Sequence, residues 1–461
     1  SIVMEFLNGQ FEREDIFFGE IVQLLSNFNW IYKSRNTDIL ADDILNCIPK
    51  SWIPIFQLNC LDNIQMAIKG DTKSSWPPDL SDLVTRCWRL SLRIDSSRKP
   101  EVTSKWKKVN PKKIHEVLNF AQLIGEKCAE KQIQHVVDIG AGLGYLDKEL
   151  SNHWDLHVLG LERDAYRVLA ASQRTSSDTK ENTANRCRST FKELAVKAEN
   201  SLEDQIESVI GDWFDELEAQ HESAPLLCMI GLHSCGDLSP VMMKLFINSR
   251  RFRTLLLVSC CYHRMEWKKD LLLADENLFP LSSSLKNASH IVPFHQQEGI
   301  QHLFRLAAQE TPNRWMQQNT VNCQLQAQHT FYRSIIQLYA ATENIQLLKR
   351  QRRPVKTHNI SDVFEEYVDQ VIEGFGLEGD VAGHREKLVN IYRSNAHLLP
   401  ALETLIVLQA LLQPVAEALI LVDRVVYLKE NGVSATLRQI FDDRISPRCF
   451  VTIAEKLESP E

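Results

Sequence analysis

The stretch Asp138-Ile139-Gly140-Ala141-Gly142-Leu143-Gly144-Tyr145-Leu146 sets a carboxylate ahead of three glycines at alternate positions. Glycines there permit a tight turn from strand to helix and let backbone approach a ligand with no side chain between. A dinucleotide fingerprint needs glycine at its sixth position so that the helix N-terminus seats a pyrophosphate. That position is Tyr145 here. The pattern instead suits an adenosine without phosphate that carries an ammonium group, which Asp138 can hold directly or through water. The expected ligand is therefore S-adenosyl-L-methionine, bound by Asp138, Gly140, Ala141, Gly142 and Gly144. Glu162 ends the next strand, 22 residues after Gly140, where a carboxylate can accept both ribose hydroxyls. Asp212 follows Ser208-Val209-Ile210, read as the third strand, and is placed to meet the adenine amino group. The bland alternative is a glycine-rich turn with a chance carboxylate.

A second group of reactive side chains follows two later apolar runs. His233 and Asp237 come after Leu226–Leu232, and His263 after Thr254–Val258. If those runs are parallel strands, all three residues lie at carboxyl ends, on the ligand side of the sheet. Each is a candidate base for an acceptor that must lose a proton during methyl transfer. His233 could equally bond only backbone, Asp237 could cap the helix that starts at Leu238, and His263 could be a rim residue. Cys235, Cys260 and Cys261 with these histidines have zinc-ligand chemistry. The usual spaced Cys-x-x-Cys pairs are absent, however, and adjacent cysteines of a strand point to opposite faces, so no metal is expected. A cysteine nucleophile of the cytosine-5 type would need a proline–cysteine motif that is also missing.

The elements that position these residues follow from periodicity. Pro111 opens a helix at its first turn. Val136–Ile139, a helix Leu146–His153, His157–Leu161 and a helix Asp164–Ala171 alternate as in a parallel sheet covered on both faces. The polar segment Gln173–Ser189 reads as a loop. A long helix over Glu403–Glu430 stops at Gly432. Thr436–Phe441 and Phe450–Ile453 are separated by only eight residues, too few for a crossover helix, so they must pair antiparallel. The expected fold is α/β and Rossmann-like, a mostly parallel seven-stranded sheet with a C-terminal antiparallel hairpin, the layout of class I methyltransferases. The expected organisation is an N-terminal helical region (1–104), the first part of the core (105–284), a largely helical insertion (285–400), and a helix and hairpin completing the core (401–461).

With 461 residues and a net charge of −8, the chain lacks the footprint of broad phosphate neutralisation, and no DNA partner is expected. Its only dense basic cluster is Lys349-Arg350-Gln351-Arg352-Arg353 with Lys356, which could touch RNA phosphates or be a solvated loop. Eleven cysteines without secreted-domain spacing, no signal-peptide pattern, and no apolar run of roughly 18 residues lead to the expectation of a cytoplasmic or nuclear protein without a membrane partner. The longest apolar stretch, Leu402–Leu428, is interrupted by Gln409, Gln413, Glu417, Asp423 and Arg424.

Several pieces together resemble the methyltransferase-like protein 25 family, which includes proteins named for a ribosomal RNA adenine dimethylase domain. They are Pro111–Glu116, Asp138–Leu146, Gly231–Leu238, Ser259-Cys260-Cys261-Tyr262 and Ser446-Pro447-Arg448. The resemblance implies a methyltransferase fold that uses S-adenosyl-L-methionine, and it implies that Lys113, His115 and Glu116 face the cofactor, the alternative being a solvated helix face. Lys-Lys-x-His-Glu and the Cys-Cys pair also resemble, in part, the tRNA 2′-O-methyltransferases of the thirteen type. True adenine dimethylases carry Asn-Leu-Pro-Tyr where His233-Ser234-Cys235-Gly236-Asp237 stands. The expected activity is methyl transfer to a macromolecule, with rRNA or tRNA preferred. A ribosomal or translation protein as substrate, or a non-catalytic scaffold that binds the cofactor, are the other readings.

Overall fold

A computed structural model describes residues 6–7, 11–95, 109–176, 189–194, 202–218, 225–266, 278–289, 297–317, 320–347, 363–375, 377 and 380–456. The helices and strands in chain order are α1 (Glu14–Asn27), α2 (Leu61–Ile68), α3 (Pro78–Arg89), α4 (Pro111–Glu130), β1 (His135–Ile139), α5 (Tyr145–Trp154), β2 (His157–Glu162), α6 (Ala165–Ser176), β3 (Ser189–Glu193), α7 (Leu202–Glu218), β4 (Leu227–Cys235), α8 (Leu238–Asn248), β5 (Phe252–Cys260), α9 (Ser283–Ser289), α10 (Gln297–Ala307), α11 (Pro312–Met316), α12 (Thr320–Thr342), α13 (Phe364–Phe375), α14 (Val381–Asn395), α15 (Leu399–Glu430), β6 (Ser434–Gln439) and β7 (Phe450–Glu455). The chain divides into two compact units. One comprises residues 1–22, 92–297 and 417–461, the other residues 23–91 and 298–416.

The first unit holds one seven-stranded sheet in the order β3-β2-β1-β4-β5-β7-β6. β1 to β5 pair parallel, β7 pairs antiparallel with both β5 and β6, and the sheet is that of a Rossmann-like methyltransferase fold. All five residues of β1 are buried, as are most of β4 and β5, which is why these strands read as continuous apolar runs. The short connection after β6 forces the hairpin, as the loop length required.

Two expectations fail. The third strand is not Ser208–Ile210, which lies inside α7. Ile206, Ile210, Trp213 and Phe214 are all buried, and their spacing of three and four is that of a helix stripe. The true third strand, Ser189-Thr190-Phe191-Lys192-Glu193, overlaps the end of the polar segment read as a loop. It lies at the sheet edge, where a single well-packed aromatic, Phe191, suffices.

α4 starts where proline and capping chemistry place it. The Asn110 side chain accepts from Lys112 N at 2.9 Å and Pro111 occupies the first turn. In the second unit, Phe364, Tyr367 and Tyr332 are buried in one aromatic cluster, with Phe364 stacked on Tyr392 at 4.3 Å.

By length and composition one stretch within Val381–Glu430 could cross a bilayer, against the expectation that its polar residues would break it. Of that window 89% is buried inside the protein. Most of the interrupting residues have polar partners there: Gln413 donates to Ala307 O at 3.1 Å, Gln409 to Ile31 O at 3.0 Å, and Arg448 pairs with Glu417 at 2.8 Å. Asp423 is the clearest case. Its buried carboxylate accepts from Leu281 N (2.8 Å), Ser282 N (2.9 Å) and Ser282 Oγ (2.6 Å). Asp423→Ala leaves those donors buried without an acceptor and is expected to lower stability by about 3 kcal/mol, measured by denaturant unfolding. A loss within ~0.5 kcal/mol would mean that water replaces the carboxylate.

Candidate functional site

The loop after β1 and the helix α4 enclose a cavity of about 360 Å³, within the range of small-molecule sites. Its wall includes Lys113, Glu116, Asp138, Gly140, Ala141, Gly142, Tyr145 and His233. The loop turns as its glycines permit: Gly140, Gly142 and Gly144 have φ of 91°, 62° and 68°, values that side-chain-bearing residues rarely adopt. A Cβ added at Gly140 or Gly142 would find nothing closer than 3.9 Å, so both face open space. Gly144 differs. A Cβ there would lie 2.7 Å from Phe191, and one at Gly160 2.6 Å from the same ring. Those two glycines seat the aromatic of β3, so Gly144 shapes the loop through packing and is not part of the wall.

Glu162 lies directly against the loop. Its carboxylate accepts from Gly142 N at 3.0 Å, Arg163 N at 2.9 Å and Asp164 N at 3.1 Å. Asp138 is buried at the floor, and its Oδ1 has no hydrogen-bond partner among the described residues. Burial, followed by the charges of Asp147 and Glu162, pushes the Asp138 carboxyl well above the ordinary range. Asp138, Asp147 and Glu162 are carboxylates close enough to repel one another, a repulsion that a cation can relieve. Lys113 Nζ sits 4.3 Å from the centre of the Tyr145 ring and Arg174 Cζ 4.1 Å from it. Burial, then Arg174, lowers the Lys113 pKa.

His233 enters the cavity through a β-bulge. Leu232 pairs with Val258 and Ser234 with Ser259, leaving His233 as the extra residue, with φ of 65°. Bulges re-aim side chains in this way. Its Nε2 lies 3.0 Å from Glu116 Oε2, and Ser446 Oγ donates to Glu116 Oε1 at 2.6 Å. Burial alone would raise the Glu116 pKa, but the hydrogen bonds of His233 and Ser446 and the nearby Lys112 bring it below the usual range. An ionised Glu116 holds one nitrogen of the imidazole and so orients the ring.

Residues 112–268 match a protein family described as a methyltransferase domain. The chain carries a methyltransferase domain. Over 235 residues it is 28% identical to a mouse protein named "Probable methyltransferase-like protein 25", the match covering 50% of this chain and 37% of that protein. A human protein of the same name is 28% identical over 236 residues, covering 50% and 36%. The chain thus spans little more than a third of the length of these curated relatives.

The methyltransferase domain brings together Lys113, Asp138, Gly140, Ala141, Gly142 and His233, with Glu162 bonded to the same loop. Other expected residues lie elsewhere. His115 is buried and does not line the cavity. Its Nε2 accepts from Asp442 N at 3.0 Å, and its ring packs on Phe441, because consecutive helix residues point about 100° apart. Asp212, inside α7, is not at a strand end and is not in the cavity wall. Asp237 does not line the cavity; it stands at the N-cap position of α8 without a side-chain capping bond, and accepts from Glu266 N at 3.1 Å. His263 is exposed in the turn after β5 and is also absent from the wall. The basic run 349–356 lies outside the described residues.

Sequence reasoning missed the Glu116–Ser446 link, although both residues sit in the motifs quoted above. It also missed Asp147, which is fully buried with both carboxylate oxygens lacking a hydrogen-bond partner among the described residues. Burial pushes its carboxyl up to about 7. The unfolded value is about 4, so between those values the folded protein holds a proton that the unfolded chain has released. Stability from this group therefore falls as pH rises across that window and stays low above it. Asp147→Asn is expected to raise the melting temperature at about pH 8 by several degrees and to change it little near pH 5. Melting curves of variant and wild type that shift equally at both pH values would rule out this titration.

Proposed function

We propose that the domain transfers a methyl group from S-adenosyl-L-methionine to an RNA acceptor that must give up a proton, with His233 as the base. The observation that carries this reading is the His233–Glu116 contact of 3.0 Å in the wall of the glycine-loop cavity. The residues present fit the cofactor: Asp138 has an orphaned buried oxygen suited to an ammonium, and Gly140 and Gly142 leave open space where adenosine needs it. Glu162 would meet the ribose. When bound, the cofactor supplies a methyl group on an already activated sulfonium. The chain's own contribution is then positioning, exclusion of water and removal of a proton. With Nε2–H donated to Glu116, Nδ1 of His233 accepts the acceptor's proton as its new bond to carbon forms.

Two features support RNA. One is the basic run 349–356. The other is a second cavity, of about 310 Å³, that shares Tyr145 with the first and is lined also by Lys148, His153 and Arg174. The described cysteines are all free, which favours the cytoplasm or nucleus.

The test is incubation with radiolabelled cofactor and a lysate from cells lacking the protein, followed by RNase or protease. Label released by RNase is the expected result. Release by protease alone would replace RNA with a protein substrate. Cofactor binding without label transfer to any fraction would leave a scaffold.

Because a protonated Asp138 cannot hold an ammonium, cofactor affinity is expected to rise with pH as that raised carboxyl ionises. Calorimetry across the acidic to neutral range checks this. Affinity independent of pH would remove Asp138 from the binding set.

A further inference from the structure

The carboxyl ends of β4 and β5 carry three thiols to which the methyl-transfer reading gives no task. Cys235 and Cys260 are register partners on adjacent parallel strands, with their sulfurs 3.1 Å apart. Cys261 follows β5 directly. The three sulfurs all lie within 4.8 Å of one another. Tetrahedral zinc with Zn–S bonds of about 2.3 Å separates its sulfurs by about 3.8 Å, between the 3.1 Å of the Cys235–Cys260 pair and the 4.8 Å limit of the cluster.

The backbone departs from a plain strand to make the cluster. Neighbouring residues of an extended strand face opposite ways, and on that ground the sequence alone leads to no metal. β5 ends at Cys260, however, and Cys261 adopts φ of 48°. That left-handed turn costs a non-glycine residue about 1 kcal/mol and brings both thiols to one side. The facing turn is equally constrained: Gly236 has φ of 56°, and a Cβ there would lie 2.9 Å from Arg264 O. Cysteines acting only as small hydrophobes would need neither turn.

The surroundings suit a negatively charged centre. Arg424 is 1% exposed, its Nη1 lacks a hydrogen-bond partner among the described residues, and its charge interacts with Cys260. Arg264 acts on Cys235 and Cys261 in the same sense. Three thiolates around a divalent cation leave one net negative charge for these guanidiniums to balance.

We propose that Cys235, Cys260 and Cys261 bind Zn²⁺, with the fourth coordination position open to water. Soft thiolates favour zinc over calcium or magnesium. Cys235 and Cys261 are partly exposed, which gives the ion a way in. The ion would tie together the ends of β4 and β5, and so fix the bulge that carries His233, two residues before Cys235.

The full chain is prepared under reductant, dialysed against Zn²⁺ or Co²⁺, and analysed for metal content and absorption. One equivalent of metal per chain is expected, together with a near-ultraviolet thiolate-to-cobalt band. Cys235→Ser and Cys261→Ser should each weaken binding by at least ~100-fold. Cys47→Ser, an exposed cysteine outside the cluster, should leave it unchanged. The wild-type cobalt spectrum needs no variant, so a destabilised serine variant does not blunt the test. A spectrum without the thiolate band, metal retained equally by all variants, or a Cys235–Cys260 disulfide in the reduced preparation would overturn the proposal. None of these readouts depends on methyl transfer.

Discussion

Gly142→Arg should abolish binding of S-adenosyl-L-methionine, an effect of more than ~100-fold by calorimetry, while the far-ultraviolet circular dichroism stays that of the wild type. Two causes act together. Gly142 has φ of 62°, and an L side chain there costs about 1 kcal/mol in backbone strain alone. Exclusion of the ligand, by bulk and by charge, weighs more. A Cβ at this position points into open space bounded by Gly140 O at 3.9 Å, so the guanidinium would extend into the volume the cofactor needs. It would also bring a positive charge to the carboxylates of Asp138 and Glu162, taking the place of the ligand's own cation. Strain without ligand exclusion would appear as a lowered melting temperature with affinity preserved, and that result would move the cofactor site away from this loop.

His233→Asn should reduce turnover by roughly 10²–10⁴-fold while leaving cofactor affinity within about twofold of the wild type. Asparagine is the appropriate replacement because it tolerates the left-handed backbone of the bulge but cannot take up a proton at neutral pH. Added imidazole should restore part of the rate. In the proposed mechanism Glu116 acts through His233, as a positioning residue. Glu116→Gln should lower kcat by about 100-fold with little change in KM for the cofactor. A purely structural role for Glu116 would instead lower the melting temperature and raise KM together. Full turnover in His233→Asn would remove it as the base.

How much of this was readable from the sequence depends on how local each signal is. β1 and its glycine loop were legible because an apolar run, a carboxylate and three glycines fall within a dozen residues. The hairpin was legible because loop length alone forbids a parallel crossover. β3 was not, since an edge strand with one aromatic carries too little apolar pattern to stand out from polar loop, and the helix stripe of α7 supplied a misleading Val-Ile pair. Lys-Lys-x-His-Glu was noticed, but the helix rotation that sends Glu116 to the cavity and His115 to the hairpin is a tertiary fact. The His233–Glu116–Ser446 chain and the cysteine cluster join residues far apart in sequence, and no spacing rule reaches that far. The cysteines add a second reason: their convergence depends on a left-handed residue at Cys261, which local propensity argues against.

The placement of β7 between β5 and β6 governs how this protein can be made. β7 follows β6 in the chain yet lies between β5 and β6, so until Phe450–Glu455 has been made β5 displays a bare row of amides and carbonyls along one side. Until residues 442–446 have been made, His115 and Glu116 likewise lack Asp442 and Ser446. Final assembly of the sheet is therefore a long-range, late event. Chains stalled or truncated before that point would be natural clients for chaperones that shield unpaired strands.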